Sequence, residues 1–144
     1  MILSGTLRLS DAAERRTVGR FNVLINDNAE TFKRHFGVDL FPGSLNVDVL
    51  HPPSLQVDLD AGRPPPSIVI PRRELVNMPG YLGDGQAWSC KLSGSKFSEP
   101  VTCWVFRRIG SRVPQGVIEI VAAPPMLRKT YNLQHGDPVI VELI

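Results

Sequence analysis

Ser44, Asn46 and Asp48 alternate with Leu45, Val47 and Val49 in the stretch FPGSLNVDVL, residues 41–50. Side chains alternate along an extended chain, so the apolar three share one face and the hydroxyl, amide and carboxylate share the other. An ordinary solvent-facing strand carries Lys, Thr or Glu there. A row of short oxygen-bearing side chains leaving a Pro-Gly turn is arranged either to hold a ligand or to cap the turn itself. A second chemically loaded position is Glu119, a lone acid in the apolar run VIEIV. It is either buried for a purpose or turned to solvent.

These residues need elements to position them. Thirteen prolines and twelve glycines divide the 144 residues into short pieces, which suits many short strands. The pattern predicts strands near 2–9, 20–25, 45–50, 67–70, 86–92, 101–107, 116–121 and 138–143, rich in β-branched and aromatic residues. Two helices interrupt them. DNAETFKRHFG pairs Asp27 with Glu30 in the spacing of a capping box, places Phe32 and Phe36 on one face, and ends at Gly37. PPMLRKTYNL starts with Pro125 in its first turn and carries Leu127 and Tyr131 as an apolar stripe. A short helical turn is expected after Pro71, and HPPSLQVDLDAGRPPP reads as loop. The sum is a mainly β protein: residues 1–144 as a single small β-barrel domain with two short helices.

Composition excludes several functions. Apolar residues make up 42% of the chain, enough for a packed core, and the net charge of +2 gives no basis for a nucleic-acid or membrane partner. The start lacks a signal-peptide pattern, and no apolar run approaches the roughly 20 residues of a membrane helix. Cys90 and Cys103 lie in apolar strands and read as buried, reduced thiols, so a cytoplasmic protein is expected. His35, His51 and His135 lack metal spacing and read as surface or turn residues. No phosphate-binding glycine loop, dinucleotide fingerprint or nucleophile elbow occurs. Whatever the chain does, it uses none of the common catalytic kits.

FGVDLFPGSLNVDV (36–49), taken with SRVPQGVIEIVAAPPMLRKTYNLQHGDPVIVEL (111–143), resembles the CTP-dependent riboflavin kinases, best known from archaea. The shared pattern runs from a helix ending in glycine, through Pro-Gly-[Thr/Ser]-Leu-Asn-Val, to a late Leu-Arg and Gly-Asp. It spans about residues 30–144. The resemblance implies a six-stranded cradle-loop barrel that transfers the γ-phosphoryl of CTP to riboflavin, giving FMN and CDP. It also implies that Ser44 and Asn46 hold the magnesium accompanying the nucleotide, which suits a cation that takes hard oxygens and keeps several waters. Glu119 and Ser111 match positions that contact flavin. Pro125, Met126, Leu127 and Arg128 match the nucleotide-contacting segment, where a helix N-terminus and a guanidinium would favour anions. Asp48, on the face of Ser44 and Asn46, is the candidate proton acceptor.

One segment departs from the family. Its first loop is glycine-rich, whereas LRLSDAAERRTVGRF is longer, and only Gly19, Arg20 and Phe21 match the end of that motif. Two glycines are lost and Arg15, Arg16 and Arg20 are gained, so side-chain cations replace close backbone approach. The expected protein is a monomer or small homo-oligomer that binds riboflavin/FMN and CTP/CDP with Mg2+. Two alternatives stay open: a flavin- or nucleotide-binding barrel without turnover, and a DNA-binding regulator barrel, which the near-neutral charge disfavours.

Overall fold

The structure is a computed structural model, which describes residues 1–9, 23–50, 55–76, 83–110 and 116–144. Seven strands form in the described residues: β1 (Ile2–Leu7), β2 (Leu45–Val49), β3 (Ile68–Ile70), β4 (Gly85–Ser93), β5 (Val101–Arg108), β6 (Val117–Val121) and β7 (Pro138–Leu143). All pair antiparallel in the order β4–β5–β6–β2–β1–β7, and β7 returns to β4 to close a six-stranded barrel. The second edge of β4 is shared: β7 occupies Cys90–Ser93 and β3 occupies Gly85–Ala87. Closure leaves the barrel strands no long unpaired edge. Gly5 lets β1 approach β2, since a Cβ there would sit 2.4 Å from the Asp48 carbonyl oxygen.

Period-two alternation fills the interior. Leu45, Val47 and Val49 of β2 meet Leu7, Trp88, Leu92, Val105, Ile118, Ile120, Val139 and Val141. Cys90 and Cys103 are register partners within this core, buried and unbridged, with Sγ atoms 3.4 Å apart. That contact and burial raise the Cys103 thiol above its ordinary range, which suits inert packing.

A second apolar cluster lies outside the barrel. Helix α1 (Ala29–Phe36) sets Phe32 and Phe36 against Trp104 and Phe106, which point outward from β5. Gly37 ends the helix in the left-handed region (φ 77°), and its N–H donates to the Lys33 carbonyl at 2.8 Å. The expected Asp27–Glu30 capping box does not form. Residues 23–27 are helical, where the pattern predicts strand up to residue 25, because Leu24 and Ile25 bury into the Phe32 cluster. Asn28 takes the junction instead. Its Nδ2 donates to the Leu24 and Val76 carbonyls, and its Oδ1 accepts the Val76 N–H at 2.8 Å.

Two further readings are corrected. The stretch read as loop contains helix α2 (Leu55–Asp60), whose Leu55 and Leu59, four apart, insert into the barrel core. Prolines on either side hid a helix that burial supports. The second expected helix shrinks to the single turn α3 (Leu127–Thr130). Pro125 lies before it, Met126 is extended, and Asn132 (φ 50°) turns the chain away. The turn expected after Pro71 is present as a 3-10 turn at Arg72–Glu74.

Candidate functional site

The Pro-Gly turn is pinned to the end of β6. The Phe41 N–H donates to the Ala122 carbonyl at 2.8 Å, and the Gly43 N–H donates to the Phe41 carbonyl. This brings residues 41–45 against the 122–128 segment, which lies far away in sequence. Between them opens a cleft of about 640 Å3, mouth included. Ser44 lines one wall and Pro125, Met126, Leu127 and Arg128 the other, with Leu9, Ile120 and Ala122 as an apolar floor. Ser44, one of the two candidate metal positions, thus meets the candidate nucleotide positions around one opening, whereas Asn46 is not among the residues lining it. A helix of one turn offers little dipole, so Arg128 is the source of positive charge on that wall. A shallower groove on the far side of α3 is lined by Lys129, Asn132 and Gln134 and shares Met126 and Arg128 with the cleft.

Beside the cleft, the outer face of the barrel carries a polar rung. Asn46 of β2 is the register partner of Glu119 on β6. On its other side, the backbone N–H of Arg8 donates to the Asn46 carbonyl at 2.9 Å. Arg8, Asn46 and Glu119 therefore lie in line across three strands, with Phe106 of β5 opposite Glu119. The Asn46 Oδ1 is shielded from solvent and has no hydrogen-bond partner. A buried acceptor left unpaired costs about 1–3 kcal/mol, so this oxygen is open to a water, a donor or a cation. Burial pushes the Glu119 carboxyl up from 4.5 to about 7, so it exists as a mixture of acid and carboxylate near neutral pH. Asp48 lies two residues from Asn46, and its Oδ2 accepts from Arg8 Nε at 3.0 Å.

The donor set fits a small hard cation. Asn46 on β2 and Ser44 just before the strand are oxygen donors two positions apart, and the orphaned amide oxygen lacks only an electrophile or a donor. Among the described residues no cluster of three or more His, Cys, Asp or Glu side chains could enclose a metal. A cation here would rely on neutral protein oxygens, with substrate phosphates and water completing its shell.

Gly19, Arg20 and Ser111 lie outside the described residues, as do Arg15, Arg16 and His51. Sequence reasoning passed over Arg8, the Phe41 anchor and His135. The His135 Nδ1 accepts the Leu9 N–H at 2.9 Å and so holds one wall of the cleft. Arg8 was legible in principle, being an arginine in an otherwise apolar β1 ending. His135 was not, because its partner lies 126 residues away.

The fold and this cleft define a small closed antiparallel barrel with a cleft at the junction of β2, β6 and α3. A family model labelled CTP-dep_RFKase, described as a domain of unknown function (DUF120), matches residues 16–143, and the chain belongs to that family. It is 28% identical over 127 residues to a riboflavin kinase of Pyrococcus abyssi, covering 88% of this chain and 54% of that protein. It is 25% identical over 148 residues to a riboflavin kinase of Methanospirillum hungatei, covering 99% of this chain and 58% of that protein. The chain thus spans little more than half the length of these relatives. No described helix is long and apolar enough to cross a membrane.

Proposed function

We propose that this chain phosphorylates riboflavin to FMN, taking the phosphoryl group from CTP or a related nucleoside triphosphate with magnesium. The observation that carries this reading is the orphaned Oδ1 of Asn46, the register partner of Glu119, next in sequence to Leu45 of the cleft that Ser44 and Arg128 line. The family and its riboflavin kinase relatives supply the substrate class.

Phosphoryl transfer needs little covalent help from the protein; it needs alignment and charge neutralisation. Magnesium, when bound by Ser44 and Asn46, supplies neutralisation of the phosphate oxygens. The chain's own residues do the rest. Pro125, Met126 and Leu127 provide an apolar wall for the nucleotide base, and Arg128 provides a charge-assisted donor to its anionic part. Glu119 binds the flavin's ribityl chain. In its ionised form it can accept a hydrogen bond from a hydroxyl, and in its protonated form it can donate one. Asp48 sits within the same face, where its second carboxylate oxygen can receive the hydroxyl proton. Gly19, Arg20 and Ser111 complete the expected contacts. The protein works as a monomer or small homo-oligomer in the cytoplasm.

The test is direct. The purified chain is incubated with riboflavin, magnesium and each of the four nucleoside triphosphates, and FMN is measured. FMN formed with CTP, or with another of the four, supports the reading and identifies the donor. Riboflavin and nucleotide binding without FMN would make the barrel a binding module instead.

A further inference from the structure

The outer face of β1, β2 and β6 holds two acids, Asp48 and Glu119, and the neutral Ser44 and Asn46. Arg8, just past the end of β1, is the one cation among the described residues of these three strands and their ends. Its place is specific, directly across from Asn46 and backbone-bonded to it. Its side chain is held from one end. Nε donates to Asp48 Oδ2 at 3.0 Å, and the guanidinium makes no other hydrogen bond among the described residues. An arginine carries five N–H donors in a rigid fork, and no described residue takes up those on its terminal nitrogens. With Arg8 and Asp48 side chains 44% and 38% exposed, the ion pair by itself adds little to stability. Stability therefore does not account for an arginine at this register position.

A nucleoside triphosphate carries more negative charge than one divalent cation cancels. Arg128 meets that charge from the cleft wall, on the α3 side of Ser44. Across Asn46, on the β1 side and outside the cleft lining, stands Arg8. We propose that Arg8 is a phosphate-binding residue of this site, contacting anionic oxygens of the donor nucleotide beside Asn46, and that Asp48 orients its guanidinium. This assigns Asp48 a positioning role in addition to any part in proton transfer. The inference rests on the phosphotransferase reading above, and it places phosphate recognition on a strand end rather than on glycine backbone.

The experiment is equilibrium binding by calorimetry. It uses whichever of the four nucleoside triphosphates binds the parent chain most tightly, together with the matching nucleoside without phosphates. Arg8→Gln is expected to weaken triphosphate binding about tenfold or more, the scale of a lost hydrogen bond to a charged group. Binding of the bare nucleoside and of riboflavin should stay within about twofold, since neither offers the phosphate charge that Arg8 would meet. Arg8→Lys should recover part of the loss, because a lysine restores charge without the fork. Asp48→Asn should cause a smaller loss than Arg8→Gln. The salt dependence of triphosphate binding should flatten in Arg8→Gln, since an exposed cation is screened. Thermal unfolding of each variant checks that the barrel is intact. A triphosphate affinity unchanged in Arg8→Gln, with the parent binding normally, overturns the role of Arg8 alone. A parent that binds riboflavin but none of the four triphosphates overturns both Arg8's role and the kinase reading.

Discussion

The two outer faces of the barrel contrast. On β5, the outward residues Trp104 and Phe106 are covered by Phe32 and Phe36 of α1, with ring centroids 5.7 Å apart for Phe32–Phe106 and 5.0 Å for Phe36–Trp104. On β1, β2 and β6, the outward residues include Arg8, Asn46, Asp48 and Glu119, and the Asn46 amide oxygen is left unpaired. Both faces obey the same alternation. One is finished by its own helix; the other retains unmet polar groups. The faces also touch, because Phe106 is the register partner of Glu119. The apolar cluster borders the polar rung and helps keep Glu119 out of water, where burial raises its carboxyl to about 7. Packing on one face tunes the chemistry of the other.

Changes at four positions would break or sharpen that contrast. Phe32→Ala attacks the covered face. A large side chain that is 1% exposed leaves a cavity, and the expected cost is about 3–5 kcal/mol of unfolding free energy by denaturant titration. Because the ring packs on Phe106, the register partner of Glu119, riboflavin binding per folded molecule should weaken as well.

Glu119→Gln works on the border, and the expected effect has a sign. Native Glu119 titrates near 7 and unfolded Glu near 4.5, so the native state holds its proton more tightly. The metal-free parent is then expected to lose stability as pH rises from 4.5 to 7, by up to about 3 kcal/mol, and to change no further above that from this group. Glu119→Gln removes that slope, so the variant should be the more stable protein at pH 8 and nearly equal to the parent below pH 4.5. Parallel denaturation curves for both proteins at every pH would refute the burial. The same variant should weaken riboflavin binding about tenfold, and nucleotide binding much less, if the acid meets the ribityl chain.

Asn46→Ala attacks the uncovered face. It is expected to lower FMN formation about a hundredfold, on the scale of removing one group that positions transferring charge. Stability should shift by less than about 1 kcal/mol, because the variant also removes an unpaired buried acceptor. A fall in melting temperature matching that of Phe32→Ala would mean that the amide is structural and that the two faces do not differ in kind. The smallest effect belongs to Ser44→Thr. The added methyl restricts the hydroxyl rotamer without removing the oxygen, so activity should stay within about threefold of the parent, while Ser44→Ala should lose considerably more.

The residues of the candidate site came from the chain's own pattern. The alternation in 44–49 separated the donors from the core, and the order of the Pro-Gly turn, VIEIV and PMLR carried the family pattern. The errors came where burial overruled local preference. FNVLI has β-forming composition, yet the described part, residues 23–25, lies in a helix because Leu24 and Ile25 fill the Phe32 cluster. Leu55 and Leu59 make a helix between prolines because the barrel core accepts them. The expected helix at 124–133 keeps one turn, since the segment's main contacts are the cleft wall and the turn at Asn132.

By itself, the sequence determined which side chains face in and which face out along each strand. That property is local, because every residue reverses direction from its neighbour. It also determined that β2 carries oxygen donors and that a helix should stop at Gly37. Tertiary structure alone decided what those donors meet. Register places Glu119 and Arg8 on either side of Asn46, closure of β7 onto β4 makes a barrel of an open sheet, and the Phe41–Ala122 hydrogen bond joins residues about 80 apart into one cleft. Such pairings depend on which strands lie side by side, and that follows from burying the whole core at once rather than from any single stretch of chain.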